Sequence, residues 1–300
     1  MTPYAPGLNL SPIMSFLDHI RACNNGDPSR YRPFLIGGRR VGFLRPAFAE
    51  VLRSFPDIFQ VGTDRVILSP DLSGPDERSA AVADVGRRLV AAGILPKPRG
   101  ESLRVAEGWG APTLMVLERK FISYFGVAAY GVHVNGFVRT ARGLSLWIGT
   151  RAQDKDVAPG KLDNMIAGGL PAGLGLMDNL VKEAGEEADV PQALARTARS
   201  AGIVSYVMED EGGLKPDTLF VYDLEVPEDF TPRNTDGETA FFTLMDVSEV
   251  ARRVRDSRDF KFNVTLVITD FLIRHGLLSP ETEPDYAEIA CGLRRSLPAG

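Results

Sequence analysis

The rhythm of apolar and polar positions changes part-way along this chain. Its first part has short apolar runs. Residues 14–24 and 48–55 have helical spacing, while 34–36 and 41–44 read as two strands flanking Gly37, Gly38, Arg39 and Arg40. Residues 66–68 read as one more short strand, a longer amphipathic helix is predicted over 78–92 ahead of Gly93, and 96–100 is a loop. From Phe125 the runs lengthen and alternate. Tyr130, Val132, Val134 and Val138 share one strand face, and His133, Asn135 and Phe137 share the other. A turn at 141–143 leads to a strand over 144–150, and two later strands, 203–209 and 218–226, flank a turn at Glu211, Gly212 and Gly213. Asp246 and Glu249 have capping-box spacing ahead of a helix over 247–256. Residues 263–275 are rich in β-branched side chains, yet their length, Asn263 as N-cap and the terminal Gly276 predict a helix. The expectation is an α/β protein: a smaller α+β domain over residues 1–120, then a domain over 121–300 in which helices sandwich a mixed sheet.

Between those strands lies the segment that carries chemistry. A glycine-rich stretch, Gly168 to Gly173, runs into an amphipathic helix bearing Glu183, Glu186 and Glu187. At about 100° per residue, Leu176, Met177, Leu180, Val181, Ala184 and Ala188 form the core-facing arc, and the three glutamates lie at its edge. Acids at i, i+3 and i+4 share one helix face, so they are expected to converge on one small volume. Clustered carboxylates repel unless a cation sits among them, and Mg²⁺ takes carboxylate oxygens together with substrate phosphates. A solvated acidic face is the competing reading. Gly185 inside the helix suggests a close backbone approach, and the glycines ahead of it suggest unusual backbone angles.

The pattern Gly168-x5-Leu174-x7-Lys182-Glu183-Ala184-x-Glu186-Glu187-x-Asp189-Val190 resembles the Nudix box, G-x5-E-x7-R-E-U-x-E-E-x-G-U with U aliphatic. The resemblance implies a Nudix α/β/α sandwich with a mixed sheet. It also implies that Glu183, Glu186, Glu187 and the Gly168 carbonyl bind Mg²⁺, with Mn²⁺ as a substitute. Leu174 stands where the pattern has Glu, Lys182 where it has Arg and Asp189 where it has Gly. Lys182 keeps the charge of the orienting arginine without its fork, and Asp189 tolerates a left-handed turn. Further segments resemble one Nudix subfamily, the Nudix half of fungal thiamine pyrophosphokinase fusions and plant plastid hydrolases of thiamine diphosphate analogues. They are 130–136, 146–151, 159–165, 222–225, 236–238 and 270–276.

That resemblance implies Mg²⁺-dependent hydrolysis of a small-molecule diphosphate, with thiamine diphosphate or its oxidised analogues going to the monophosphate and phosphate. A nucleoside diphosphate derivative of the ADP-ribose type, or a degenerate module that only binds a metabolite, remain as alternatives. Glu238, in the turn after Asp236 and Gly237, is the candidate acid outside the box. Lys182, Arg151, Arg39 and Arg40 are candidates for phosphate. Trp147, Trp109, Tyr130, Phe125 and His133 are candidates for the organic end, although strand aromatics and lone histidines more often belong to a core.

Composition narrows the classes further. The 300 residues are 44% hydrophobic and 24% charged, ample for globular cores. A net charge of −5 argues against a nucleic-acid partner. Residues 1–120 are net positive and the remainder is acidic, which suits an anionic ligand held between them. Cys23 and Cys291 lack metal-ligand spacing, and the apolar stretch 264–273 is too short to span a bilayer. With no secretory signal visible at Met1, the expectation is a cytoplasmic monomer or homodimer with no membrane partner.

Overall fold

A computed structural model describes residues 14–297 except Arg142, which belongs to the turn expected at 141–143. The first described helix is α1 (Phe16–Cys23), capped reciprocally because Ser15 Oγ accepts from the Asp18 amide and the Asp18 carboxylate accepts from the Ser15 amide. The N-terminal module follows: β1 (Arg32–Ile36), β2 (Arg39–Leu44), α2 (Pro46–Leu52), β3 (Phe59–Val61), β4 (Val66–Leu68), α3 (Pro75–Ala91), the hairpin β5 (Ser102–Val105) and β6 (Met115–Glu118), and α4 (Ile122–Phe125). Gly37 and Gly38 take positive φ at the β1–β2 turn, which is why that turn reads so clearly in the sequence. Strands β1 to β4 form one sheet in the order β2-β1-β4-β3, and Phe34, Phe48, Phe59 and Phe125 meet in its core.

The second sheet is built from β7 (Ala129–Thr140), β8 (Gly143–Arg151), β9 (Leu162–Asp163), β10 (Ile166–Gly169), β11 (Arg199–Glu209), β12 (Leu214–Glu225) and β13 (Thr239–Asp246). Its order is β11-β12-β7-β8-β13, with β10 on β7 and β9 on β8; β12 and β7 run parallel and the other pairs antiparallel. Helices α5 (Leu176–Ala188) and α6 (Gln192–Ala195) contribute to the core on one face. Helices α1, α7 (Val247–Asp256), α8 (Phe262–Arg274) and α9 (Tyr286–Gly292) contribute to the core on the other. The alternation predicted for β7 holds: Val132, Val134 and Val138 join the α5 core, and Phe137 joins the α8 core. This is the α/β sandwich with a mixed sheet that was expected.

Several boundaries differ from the sequence reading. Strands β3, β5, β6, β9 and β10 have at most four residues each, too few to declare a period. Glu249 makes no cap; it is held by Arg252 and Arg253 while Asp246 alone caps α7. Asn263 lies inside α8, whose N-cap is Lys261, and its amide reaches the buried Tyr206 hydroxyl.

The pairing of β7 positions the site. It pairs with β8 only from Phe137 to Thr140, near the hairpin turn, while β10 takes over opposite Gly131 to Val134. Beyond Leu146, β8 leaves β7 and takes β9 on that edge at Gly149 and Thr150, with β13 along its other edge, so a wedge opens between β10 and β8. A chain of buried polar groups crosses the sheet behind it. His133 Nδ1 meets Asn164 Oδ1 at 2.8 Å, Asn164 Nδ2 donates to Asn135 Oδ1 at 2.9 Å, and Asn135 Nδ2 donates to Asp223 Oδ1 at 3.0 Å. Arg274 then joins Asp223 to Asp270, which is 1% exposed and is also held by Arg294. Removing one partner of a buried ion pair typically costs about 3–5 kcal/mol, because the remaining charge is left uncompensated. Because Asp270 keeps Arg294 and Asp223 keeps Asn135, Arg274→Ala is expected to lower stability by less than that full amount, read from the urea midpoint, with Arg274→Lys falling between it and the wild type.

Candidate active site

Strand β10 and helix α5 meet along one stripe. Asn179, Glu183 and Glu187 are spaced i, i+4, i+8, so they stack on one side of α5. They meet three successive residues of β10 in reverse order. Asn179 Nδ2 donates to the Gly169 carbonyl at 2.9 Å, Glu183 lies across the Cα of Gly168, and Glu187 Oε2 accepts from the Ala167 amide at 2.8 Å. A side chain at Gly168 would collide with Glu183 Cγ and Cδ and come within 2.8 Å of its Oε1. Neither Gly168 nor Gly169 has a positive φ. They are strand residues whose missing Cβ makes room, which corrects the reading of this stretch as a strained loop; only Gly173 takes the left-handed region, at φ 86°.

The helix keeps part of its expected face. Leu180, Ala184 and Ala188 are buried, but Leu176, Met177 and Val181 are half-buried. Glu187 is not at the edge: it is 8% exposed. Gly185 is exposed with nothing near its missing side chain, so it makes no close backbone approach. Asp189 ends the helix in the left-handed conformation, φ 52° and ψ 34°.

The three glutamates do not gather at one point, as had been expected. Lys182 Nζ lies 2.6 Å from Glu186 Oε2 and 3.3 Å from Glu183 Oε1, while Glu187 turns to the strand. Glu186 is exposed. Like charges on one helix face repel, and here Lys182 bridges Glu183 and Glu186 while Glu187 takes the Ala167 amide. Among the described residues, no three acids, histidines or cysteines are drawn together as a closed metal cage.

The electrostatics nevertheless favour a cation. Burial pushes the Glu187 carboxyl well above its ordinary range, the Ala167 amide opposes this, and Asp163, Glu183 and Glu238 push it further up. Burial also raises Glu183; Lys182 offsets part of the shift, while Glu186 and Glu101 add to it. Oxygen donors that repel one another beside a half-open wedge are the donor set a hard divalent ion takes. The residues present therefore fit such an ion.

Within the wedge, Arg151 Nη1 donates to Asp163 Oδ2 at 2.7 Å and Lys261 Nζ lies 3.3 Å from the same oxygen. Burial pushes Asp163 up, but Lys261, His133 and Arg151 outweigh it and hold the carboxyl below its usual range. The Arg151 fork also donates to the carbonyls of Val157 and Ala158, tying it to the loop ahead of β9. Glu238 is gripped by Lys155; burial pushes it up, and Lys155, Arg99 and Arg151 more than reverse that.

The aromatic candidates separate. Phe125 is core of the N-terminal module, and Trp147, 9% exposed, packs in the α5 core with its Nε1 unpartnered. Trp109, 48% exposed, lies 5.0 Å from Tyr130 and 4.5 Å from Phe220 between ring centroids, with the Arg104 guanidinium over its ring. Arg39 and Arg40 begin β2 in the N-terminal sheet, where Arg40 stacks on Phe43. His133 is buried within the polar chain described above. The sequence reading missed Ala167, Asn179, Asp163, Lys155 and Lys261 as site residues. Asn179 was discoverable from its spacing to Glu183, whereas Lys261 lies on a distant segment and left no local signal.

This geometry is accompanied by close relatives. Nudix hydrolase 20, chloroplastic, of Arabidopsis thaliana is 44% identical over 285 residues, spanning 91% of this chain and 76% of that protein. The chain belongs to the Nudix hydrolases. Nudix hydrolase 24, chloroplastic, of the same plant is 43% identical over 291 residues, spanning 95% of this chain and 79% of the relative. A protein-family profile described as a domain of unknown function, DUF4743, matches residues 15–129. Among solved structures, a MutT protein from Methanosarcina mazei covers 49% of this chain and 95% of its own at 16% identity, with a TM-score of 0.37. By its identity with the two plant relatives, the protein is a hydrolase of phosphoanhydrides. The comparison also overturns the expected cytoplasmic location, since both plant relatives are chloroplastic proteins.

His133 gives this Nudix hydrolase a testable acid limb. Burial lowers its pKa from 6.5 to about 4, with Lys261 adding to the shift. A depressed pKa means that the unfolded chain binds the proton first, so stability is complete above pH 6.5 and is lost as the pH falls towards about 4. Replacing His133 by Gln should flatten the melting temperature against pH over that window; an unchanged slope would place the acid sensitivity elsewhere.

Proposed function

We propose that this Nudix hydrolase catalyses Mg²⁺-dependent hydrolysis of a diphosphate linkage in a small molecule, with thiamine diphosphate and its oxidised analogues as the preferred class. The observation that carries the reading is the stripe on α5, which sets Glu183 and Glu187 against the free edge of β10 beside a wedge already rich in acids.

Glu183, Glu186 and Glu187 would hold the ion, together with a strand carbonyl. The Leu170 amide donates to the Tyr130 carbonyl, and the ladder alternates, so the Gly168 carbonyl turns towards β7. The Ala167 carbonyl turns the other way, to the edge where Glu187 lies, and we assign it the role expected of Gly168. A bound divalent ion neutralises charge developing on the phosphoryl oxygens and lowers the pKa of a water. The chain's own part is positioning: Lys182 keeps Glu183 and Glu186 oriented, and Asp163 is fixed by Arg151 and Lys261. Glu238, held ionised by Lys155, is the acid at the mouth that orients water. The water oxygen bonds to the terminal phosphorus as the bond to the bridging oxygen breaks. The monophosphate leaves, and the water's proton passes to a carboxylate.

The organic end of the substrate falls to the exposed ring of Trp109, backed by the half-buried rings of Tyr130 and Phe220, which offer stacking surface. The subfamily motifs at 130–136, 159–165 and 270–276 support a thiamine-type diphosphate.

Incubating the protein with Mg²⁺ and thiamine diphosphate, ADP-ribose or a nucleoside triphosphate tests the substrate. Inorganic phosphate released from the thiamine compound is the expected product, whereas nucleoside monophosphate as the main product would transfer the reading to nucleotide derivatives. Glu187→Gln should lose activity on the order of 100-fold or more with an unchanged circular dichroism spectrum, since removing one group that stabilises transition-state charge costs about that much. Near-normal turnover would remove Glu187 from the mechanism.

A further inference from the structure

The N-terminal module reaches the candidate site through one short segment. The Ala172 amide, in the loop between β10 and α5, donates to the Ser102 carbonyl at 2.9 Å, and the Arg119 amide donates to the Glu101 carbonyl at 2.8 Å. This docking brings Arg119 onto Gly169. A Cβ at Gly169 would lie 3.3 Å from Arg119 Cζ and Nη1 and 3.4 Å from Nη2, so the guanidinium lies against the strand backbone. Successive strand residues present opposite faces. Glu183 therefore covers β10 from one side at Gly168, and Arg119 covers it from the other at Gly169. A side chain at Gly168 would force Glu183 to move, and one at Gly169 would press tightly on the Arg119 guanidinium.

Arg119 keeps donors to spare. Its Nη1 bonds Glu101 Oε2 at 2.6 Å, and the side chain remains 40% exposed. A guanidinium presents five N–H donors in a rigid fork suited to phosphate. Half-exposed ion pairs contribute little to stability, so the pair with Glu101 aims the fork more than it holds the fold. Other cations surround the same mouth: Lys120 pairs with Asp156, Lys155 with Glu238, and Arg99 acts electrostatically on both of those acids.

We propose that Arg119 is a phosphate-binding residue of this site, supplied by the N-terminal module and aimed by Glu101, and that it takes phosphoryl oxygens of the same diphosphate that the α5 glutamates hold through a divalent ion. The inference rests on the functional reading above and deepens it. The domain before the Nudix sheet thereby completes the substrate site. The mildly basic character of residues 1–120 has its use here.

Calorimetric titration of the full chain with methylenediphosphonate, in the presence of Mn²⁺, tests this directly. Arg119→Ala is expected to weaken binding about tenfold or more, the usual loss for a charge-assisted phosphate contact. Arg119→Lys should recover part of it, and binding of Mn²⁺ alone should stay unchanged. With a hydrolysed substrate, Arg119→Ala should raise KM far more than it lowers kcat. Glu101→Gln, which leaves the guanidinium in place, should weaken the diphosphonate less than Arg119→Ala; this variant also serves should Arg119→Ala fail to fold, and wild-type affinity in it would then overturn the proposal. Equal affinity of Arg119→Ala and wild type overturns the assignment of Arg119 alone. A wild-type protein that neither binds the diphosphonate nor turns over any diphosphate overturns the reading of the site, and Arg119 with it.

Discussion

The Ala167 amide stands at an edge of β10 that no other strand pairs among the described residues, and Glu187 accepts its hydrogen bond. A buried backbone donor must find a partner, so this contact fixes where α5 lies on the sheet. The register propagates from there. Four residues earlier Glu183 crosses Gly168, and four earlier again Asn179 holds the Gly169 carbonyl. A helix rises about 1.5 Å per residue and a strand about 3.3 Å, so three contacts at a spacing of four on one and one on the other also set the angle at which they cross. Glu187, expected from the sequence as a metal ligand, thus also fastens α5 to β10.

The wedge beside that interface is a consequence of β-sheet pairing. A strand has two edges, and β7 gives one wholly to β12 and divides the other between β10 and β8. Where β8 leaves, the interior is lined by polar groups that need partners, and the chain supplies them in sequence from His133 through Asn164 and Asn135 to Asp223 and Arg274. Such a network rigidifies what it crosses when every member is satisfied. It joins the floor of the wedge to α8 on the far side of the sheet.

Long elements were legible in the sequence because their periods had room to repeat. The two faces of β7 and the buried Leu180, Ala184 and Ala188 of α5 came out as the spacing required. Gly168 and Gly169 were misread because a missing side chain has two uses, positive φ and close approach, and composition alone does not distinguish them. The acids were expected to meet at one point because rotation angles fix a direction and ignore axial distance, whereas Glu187 spends itself on the strand and Lys182 ties up the other two. Arg119 was invisible for a different reason: its importance lies in what it lies against, a glycine far along the chain. Asn263 looked like a cap but serves the buried Tyr206 instead, since a side chain one position inside a helix can point to the core.

The Glu187 carboxylate divides its labour between two oxygens. Oε2 accepts from the backbone of β10, whereas Oε1 carries no such tie to the strand. The placement of this carboxylate is thereby set by main-chain geometry and not by side-chain rotation alone.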